Sequence, residues 1–142
     1  MYNRILVPVD LTEMSTCETV LEDAAYLAAA ANAELHFLTV VPTFSMSIVG
    51  SFFPEEYEKK ALAAAKKSMS DFITGHPKAR KAKGHVAHGT IYDEIMKAAN
   101  RLDCDLIVMA SHRPELKDYL LGPNAARVVR HAAQSVFVVR AG

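Results

Sequence analysis

The chain has 142 residues, of which 51% are hydrophobic and 23% are charged. This length and composition are typical of one globular domain, expected here over 1–142, and not of a disordered protein. Sixteen basic residues balance sixteen acidic ones, so the net charge gives no general attraction to nucleic acid. No apolar run approaches the ~20 residues that cross a bilayer, and the N-terminus lacks a signal-peptide pattern. We therefore expect a cytoplasmic protein without a nucleic-acid or membrane partner.

The cysteines and histidines show no spacing that is typical of a metal site. Cys17 and Cys104 are far apart in the sequence, and in a reducing compartment both are expected to be free and buried. His85 and His88 are three residues apart on an expected strand, so their side chains point to opposite faces. The sequence therefore predicts no metal site.

Short apolar runs alternate along the chain with segments of helical spacing. This alternation predicts an α/β fold in which parallel strands are joined by right-handed crossovers, with helices on both faces of the sheet. The run 106–110 carries no charge and is typical of a strand buried on both faces, whereas the more polar 84–88 is expected at a sheet edge. The expected strands are 4–9, 34–41, 84–88, 106–110 and 135–140, and the expected helices are 16–31, 54–74, a third that begins at Thr90, and 123–132.

Three helix ends carry recognisable signals. Asn32 is compatible with the left-handed residue that often ends a helix. Thr90 is a candidate N-cap, and Asp93 follows three residues later, which is close to a capping box. Pro123 suits a first helical position because its φ is already helical.

A polar segment and a glycine follow the buried run 106–110. The order of buried strand, long loop, Gly122 and helix start can bind an anion, because the amides of a helix start point outward with partial positive charge. Gly122 lets a ligand approach the backbone, and Arg113 adds a fixed charge nearby. The alternative is an ordinary strand-to-helix connection without a ligand, and one glycine with one arginine leaves both interpretations open.

Asp10 directly follows the first expected strand. In parallel α/β sheets a ligand binds beyond the carboxyl ends of the strands, where the strand order reverses. If the first and fourth strands are neighbours at that point, Asp10 and the loop after the fourth strand face one crevice. An acid suited to ribose hydroxyls and a helix start suited to phosphates together suggest a nucleotide. Asp10 could also cap the first helix or bind backbone amides, and the two roles are compatible.

The segment 43–53 is apolar but has neither a helix period nor a strand period. It is too apolar for a loop that is only exposed to solvent, so it is expected to pack against another part of the domain or against a partner. A lid, a partner subunit and the edge of the domain itself all remain open.

Three stretches of the chain resemble the universal stress protein family, and the similarity covers nearly the whole sequence. They are RILVPVD at the N-terminus, HGTIYDEI at 88–95, and DLIVMASHRP…YLLGPNAARVVRHAAQSVFVVR at 105–140. The pattern SHRP…YLLG is similar to the small single-domain F/G-type branch of the UspA-like superfamily.

The resemblance implies a Rossmann-like fold of the adenine nucleotide alpha hydrolase-like type, with a five-stranded parallel sheet in the order 3-2-1-4-5. It implies a cytoplasmic stress-response protein that binds ATP, ADP or AMP, with or without Mg²⁺, and acts through nucleotide-dependent interactions. It also implies a homodimer, or a higher homo-oligomer, formed through the last strand, whose residues are Val136, Phe137, Val138 and Val139.

Nucleotide-binding members of the family carry a glycine-rich loop after the fourth strand, and this chain departs from that pattern. Ala110 and Arg113 stand where the first two glycines are expected, and Pro123 replaces the Ser or Thr that follows the third, Gly122. Proline removes one N–H donor and so weakens a phosphate cradle, whereas Asn124 and Arg113 offer substitutes. The residues that the resemblance assigns to ATP binding are Pro8, Val9, Asp10, Val40, Met109, Ala110, Ser111, His112, Arg113, Gly122, Pro123, Asn124 and Ala125.

Three functions remain open on the sequence alone. The first is an ATP-binding stress protein whose nucleotide state controls a partner or an oligomer. The second is a nucleotide-free dimeric interaction module that uses the altered loop and the segment 43–53. The third is a slow ATPase or autophosphorylating protein. His112 or Glu115 could orient a water molecule, but each is more often a loop-surface residue, so no catalytic residue is assigned.

Overall fold

Helices and strands alternate throughout the computed structural model, which describes residues 1–43, 54–111 and 122–140. The segment 44–53 and residues 112–121, with His112 and Arg113, lie outside the described residues. In chain order the elements are β1 (Arg4–Pro8), α1 (Met14–Ala31), β2 (Glu34–Pro42), α2 (Pro54–Gly75), a 3₁₀ turn (Pro77–Ala79), β3 (Lys83–Gly89), α3 (Ile91–Arg101), β4 (Leu106–Ala110), α4 (Pro123–His131) and β5 (Ser135–Val139).

The five strands form one parallel sheet in the order β3-β2-β1-β4-β5. This confirms the expected strand order, and it confirms that the more polar third strand lies at an edge. The chain builds the sheet outward from β1 to β3 and then returns to the other side of β1 for β4 and β5. The strand order therefore reverses between β1 and β4, which is where a ligand crevice opens in folds of this kind.

Two apolar layers cover the two faces of the sheet. On one face Val7 and Phe37 pack with α1 and α2, and on the other Leu6 and Ile107 pack with α3 and α4. Adjacent residues of one strand enter different layers because side chains alternate across a strand. The central strands β1 and β4 are buried on both sides, as their uninterrupted apolar sequence predicts.

Asp105 fixes the register of β1 against β4. Its carboxylate accepts hydrogen bonds from the backbone amides of Asn3 (2.9 Å) and Arg4 (3.1 Å), and its own amide donates to the Arg4 carbonyl at 3.0 Å. Partial burial opposes ionisation of Asp105, but the hydrogen bonds from these amides outweigh it and lower the pKa of the carboxyl. The fixed register places the carboxyl ends of β1 and β4 side by side.

Helix α1 begins at Met14, two residues earlier than expected. The amide of Glu13 donates to the Asp10 carbonyl at 2.9 Å, and the amide of Cys17 donates to the Glu13 carbonyl at 3.1 Å. This turn already has helical hydrogen bonding, so the polar residues before Thr16 join the helix. The expected ends of the other elements coincide with the observed ones or differ by one residue, as is usual for helix and strand ends.

Two helix-end predictions have different outcomes. Asn32 ends α1 in the left-handed conformation with φ 53°, as expected. Thr90 occupies the N-cap position of α3, but its side chain makes no capping hydrogen bond, so the predicted capping box is wrong. Asp93 pairs with Lys97 one turn later, at 3.2 Å.

Two further observations concern the part of the chain that the structure describes. None of the helices there has both the length and the apolar character needed to cross a membrane. In the same ranges, no group of three or more His, Cys, Asp or Glu side chains is arranged to hold a metal ion. Cys17 and Cys104 are both free and buried.

Candidate functional site

A cleft of about 910 Å³ opens at the carboxyl ends of β1, β2 and β4, at the point where the strand order reverses. Its walls come from the turn after β1, the end of β2, one side of α2, and the starts of α3 and α4. It lies in the size range of small-molecule sites. Eleven of the thirteen residues assigned from sequence line it, and the other two, His112 and Arg113, lie outside the described residues: the eleven are Pro8, Val9, Asp10, Val40, Met109, Ala110, Ser111, Gly122, Pro123, Asn124 and Ala125.

Asp10 lies at the mouth of the cleft, where β1 passes into α1. One of its carboxylate oxygens, Oδ1, accepts hydrogen bonds from the backbone amide of Thr12 at 3.0 Å and from the Thr12 hydroxyl at 2.6 Å. Its Oδ2 has no hydrogen-bond donor among the described residues. Asp10 therefore binds a backbone amide, as one sequence interpretation proposed, and still offers one oxygen to the cleft.

The start of α4 forms the opposite side of the cleft. Gly122 is the N-cap, with φ −67° and ψ 165°, and Pro123 occupies the first helical position. The first intrahelical bond runs from the Ala126 amide to the Gly122 carbonyl at 2.9 Å. Because Pro123 has no N–H, the amides left without a helical acceptor are those of Asn124 and Ala125. Gly122 has a φ that any residue adopts, so its backbone conformation does not require glycine. The advantage of glycine here is that a ligand can approach the backbone closely.

The charged side chains in the described part of the cleft are all acidic. Asp10 and Glu13 line it, and no lysine or arginine among the described residues does. The positive potential there comes from the N-terminus of α4, where the helix dipole and the exposed amides act together. That arrangement can hold one phosphate group, while a longer phosphate chain needs a further cation.

The remaining surface of the cleft is mainly apolar. On the α3 and α4 face, Val40, Ile91 and Met109 supply it. On the α1 and α2 face, Val9 and Val20 supply it. Apolar walls next to a few polar groups suit a flat heteroaromatic ring.

Several residues of the cleft were not singled out in the sequence. Thr39 on β2 and the small residues Ala64, Ala65 and Ser68 on α2 line the α1 and α2 side. The small residues recur at one-turn spacing along α2, which is a signal for a face that leaves room beside it. That signal could be recognised only after the position of α2 over the sheet was known.

Cys17 also lines the cleft, but as a structural group. Its Sγ–H donates to the Asp10 carbonyl, with the two atoms 3.0 Å apart. Burial and the nearby Asp10 charge raise the pKa of the thiol to about 11. The thiol therefore stays protonated near neutral pH, supports the turn that carries Asp10, and is a poor nucleophile.

Comparison with known proteins gives a consistent result. The model of the universal stress protein family matches residues 1–140. Universal stress protein G of Escherichia coli O157:H7 is 33% identical over 146 residues, which cover 99% of this chain and 100% of that protein. The solved structure of universal stress protein UspA from Lactobacillus plantarum matches with a TM-score of 0.77 at 25% identity, over 98% of both chains.

A third comparison concerns a protein that was solved with a ligand. The universal stress protein from Archaeoglobus fulgidus in complex with dAMP matches with a TM-score of 0.63 at 22% identity, over 96% of this chain and 97% of that one. This likeness supports the fold. The family model and the full-length relative agree with the fold and with the motifs quoted above, and the chain belongs to the universal stress protein family.

Proposed function

We propose that this protein is an adenine-nucleotide-binding stress-response protein whose cleft takes ATP, ADP or AMP. The observation that supports it most is that the Asp10 carboxylate and the N-terminus of α4 line the same cleft at the reversal of the strand order. These two groups have the chemistry that a ribose and a phosphate require. A relative of the same fold, from Archaeoglobus fulgidus, binds dAMP.

The nucleoside part of the ligand has the better support. The Oδ2 atom of Asp10, which no described residue binds, can accept hydrogen bonds from the ribose hydroxyls. The apolar walls around Val9, Val40 and Met109 exclude water from a base. The turn that carries Asp10 is held by Thr12 and by the Cys17 thiol, so the carboxylate is preorganised for binding.

The phosphate part of the ligand is held more weakly. The amides of Asn124 and Ala125 suit one phosphate group. For the other phosphates of ATP, Arg113 or a bound Mg²⁺ has to supply the positive charge that the described lining residues lack. We therefore infer that ATP binding depends more strongly on Mg²⁺ and on salt than AMP binding does.

Regulation by occupancy is the mode of action that fits this cleft. In its described part the ionisable side chains are Asp10, Glu13 and Cys17. Asp10 is engaged by Thr12, and the Cys17 thiol is protonated. Of these three side chains, Asp10 and Cys17 are therefore not suited to activate a water molecule, and the proposal includes slow hydrolysis at most.

The proposal includes a homodimer, or a higher homo-oligomer, formed through β5. This strand pairs with β4 on one side, and its other edge has no strand partner among the described residues. Phe137 on β5 is 42% exposed and Val129 on α4 is 45% exposed. An apolar edge strand of this kind needs a partner to prevent unspecific pairing. We also propose a cytoplasmic location, with which the free thiols are consistent.

Calorimetry of the stripped protein tests the proposal. We expect AMP, ADP and ATP with Mg²⁺ to bind with one site per chain, and ATP without Mg²⁺ to bind more weakly. The absence of binding at millimolar concentrations of all three would instead assign the protein to a nucleotide-free mode of action.

A further inference from the structure

Two histidines join β2 to the edge strand β3 near the start of both strands. His36 on β2 and His85 on β3 each alternate with a residue of the α1 and α2 layer, Phe37 and Val86 respectively. Both histidine side chains therefore lie on the α3 face of the sheet. In the strand register His85 is opposite Leu38, so the pair crosses from one strand to the other on a diagonal. His36 is 4% exposed, and it does not line the cleft.

The hydrogen bond between the two rings runs nearly along both of them. Nδ1 of His36 and Nε2 of His85 are 3.0 Å apart, the ring planes are within 21° of parallel, and the ring centres are 5.2 Å apart. The centres are much further apart than the nitrogens, so the two nitrogens point at each other. This geometry suits an N–H···N hydrogen bond, which requires a single proton between the two nitrogens.

Glu34 determines which histidine donates this proton. The other ring nitrogen of His36, Nε2, is buried without a hydrogen-bond partner among the described residues, and it lies 3.5 Å from Oε1 of Glu34. A lone pair on this nitrogen would repel the carboxylate, whereas an N–H group is attracted to it. We therefore assign the proton of each neutral ring to Nε2, so that His85 donates to His36 and His36 directs its own N–H at Glu34.

The pair then takes up further protons in two steps. The first proton goes to Nδ1 of His85, which is not part of the bond between the rings, so that bond is kept. The second proton has to go to Nδ1 of His36, which is the acceptor of the bond. Both facing nitrogens then carry a proton and both rings carry a positive charge, so the bond is lost and the rings repel each other.

The surroundings of the pair oppose its protonation. Burial lowers the pKa of both histidines, and the charges of Lys83 on β3, Arg4 on β1 and Arg101 on α3 lower the pKa values further. Among the groups that act on His36, Glu34 alone favours the charged form. The folded chain therefore binds these protons less readily than the unfolded chain. Acidification below the ordinary pKa of about 6.5 thus favours the state in which the bond is broken.

The amino end of β3 also carries a close contact with α2. Gly84 precedes His85, and a Cβ atom at Gly84 would lie 2.5 Å from Cγ of Met69 and 2.8 Å from Cδ1 of Ile73. Among the strands that the structure describes, β3 has one neighbour, β2. Detachment of this end of β3 from β2 would therefore loosen the second half of α2 as well.

We propose that His36 and His85 form a pH-dependent switch that holds the amino end of β3, and with it the second half of α2, on the sheet. The end of β3 is held while one of the two facing nitrogens lacks a proton, and it detaches when both carry one. Neither histidine lines the cleft, so the switch is separate from the proposed nucleotide site and its test requires no nucleotide.

Amide hydrogen exchange between pH 7.5 and pH 4.5 tests the switch. Protection factors are compared, because they correct for the pH dependence of the intrinsic exchange rate. In the wild type we expect the protection of β3 amides to fall about tenfold more on acidification than that of amides in the central strand β4. His85→Gln keeps a side-chain donor and cannot be protonated, so it should remove this difference. His131→Gln is the matched control, because His131 is exposed at the end of α4, and it should behave like the wild type.

The imidazole ¹⁵N signals of the wild type, followed over the same pH range, provide a measurement that requires no variant. We expect the protection of β3 to fall together with the protonation of Nδ1 of His36. Loss of β3 protection while His36 is still neutral would overturn the proposal, and so would full protection once both rings are charged. An equal loss of β3 protection in His85→Gln and in the wild type would overturn it too.

Discussion

The Oδ1 atom of Asp10 receives two hydrogen bonds from Thr12, one from its amide at 3.0 Å and one from its hydroxyl at 2.6 Å. The residue that organises the turn after β1 also lines the cleft. Such an arrangement holds the side chain in one orientation before a ligand arrives, which lowers the entropic cost of binding. It also means that structural and binding effects of a substitution at Asp10 have to be separated.

Asp10→Asn separates them, because the amide oxygen can still accept from Thr12 while the charge is lost. We expect AMP affinity to fall about tenfold, or ~1.4 kcal/mol, as for a hydrogen bond to a charged group. Calorimetry measures the affinity, and a urea unfolding curve measures the stability. Asp71→Asn is the matched control, since Asp71 is exposed and pairs with Lys67 on α2, outside the cleft. Equal affinities of Asp10→Asn and wild type would remove Asp10 from the site.

Gly89 joins β3 to α3 in a conformation that other residues rarely adopt. Its φ is 150°, and a Cβ atom there would lie 2.6 Å from Oε1 of Glu94. We expect Gly89→Ala to lower the free energy of unfolding by about 1–3 kcal/mol. Gly75→Ala is the control, because a Cβ atom there meets nothing within 4 Å. Chemical denaturation of both variants checks the difference, and similar midpoints would contradict the conformation described for Gly89.

The stability of the fold should depend on pH through two stacked histidines. Nδ1 of His36 and Nε2 of His85 are 3.0 Å apart, which links β2 to the edge strand β3. Burial lowers the pKa of both side chains, and for His85 the charge of His36 lowers it further. Below their ordinary pKa of about 6.5, the unfolded chain binds more protons at these sites than the folded chain. Their contribution to stability is thus complete above this value and is lost as the pH falls from it through the lower pKa values of the folded state.

Unfolding curves between pH 7.5 and 5.5 measure this contribution. His76 acts in the opposite direction, because its hydrogen bond with the Phe72 carbonyl raises its pKa, so the wild type shows the sum of both effects. A variant with His36→Gln and His85→Gln keeps His76 and lacks the histidine pair. It therefore removes only the loss of stability that the pair causes on acidification. We expect this variant to lose less stability between these pH values than the wild type does. An equal or greater loss would show that the histidine pair does not cause the pH dependence.

Phe137 tests the proposed homo-oligomer. Its ring is 42% exposed on the edge strand β5. Phe137→Asp places a charge in the proposed interface and should give a monomer in light scattering after size exclusion. Tyr26→Asp, on the exposed side of α1 at 76% exposure, should leave the assembly unchanged. If Phe137→Asp assembles like the wild type, β5 is not the interface.

The sequence predicts the sheet well because its signals are local. An uncharged apolar run identifies β4, and the resemblance to the family adds the strand order that the structure shows. The features that could not be predicted depend on contacts between distant parts of the chain. The pairing of His36 with His85 requires the register of β2 against β3. The lining of one cleft by Thr39 and by small residues of α2 requires the position of α2 over the sheet.

The capping box at Thr90 failed for a related reason. The spacing of Thr90 and Asp93 permits a box, but the same carboxylate is also one turn away from Lys97. Sequence spacing does not set the orientation of the Thr90 hydroxyl, which makes no capping hydrogen bond. The Asp93 carboxylate pairs with Lys97 on the helix surface.

The most direct test of the central claim is a titration of the ¹⁵N-labelled protein with AMP, followed by the amide signals of each residue. We expect saturable shifts at residues 9–12, at 39–40 and at 122–126, which surround the cleft, and none at the exposed start of β3. Absence of shifts at millimolar AMP, or shifts confined to another surface, would contradict the assignment of this cleft as a nucleotide site.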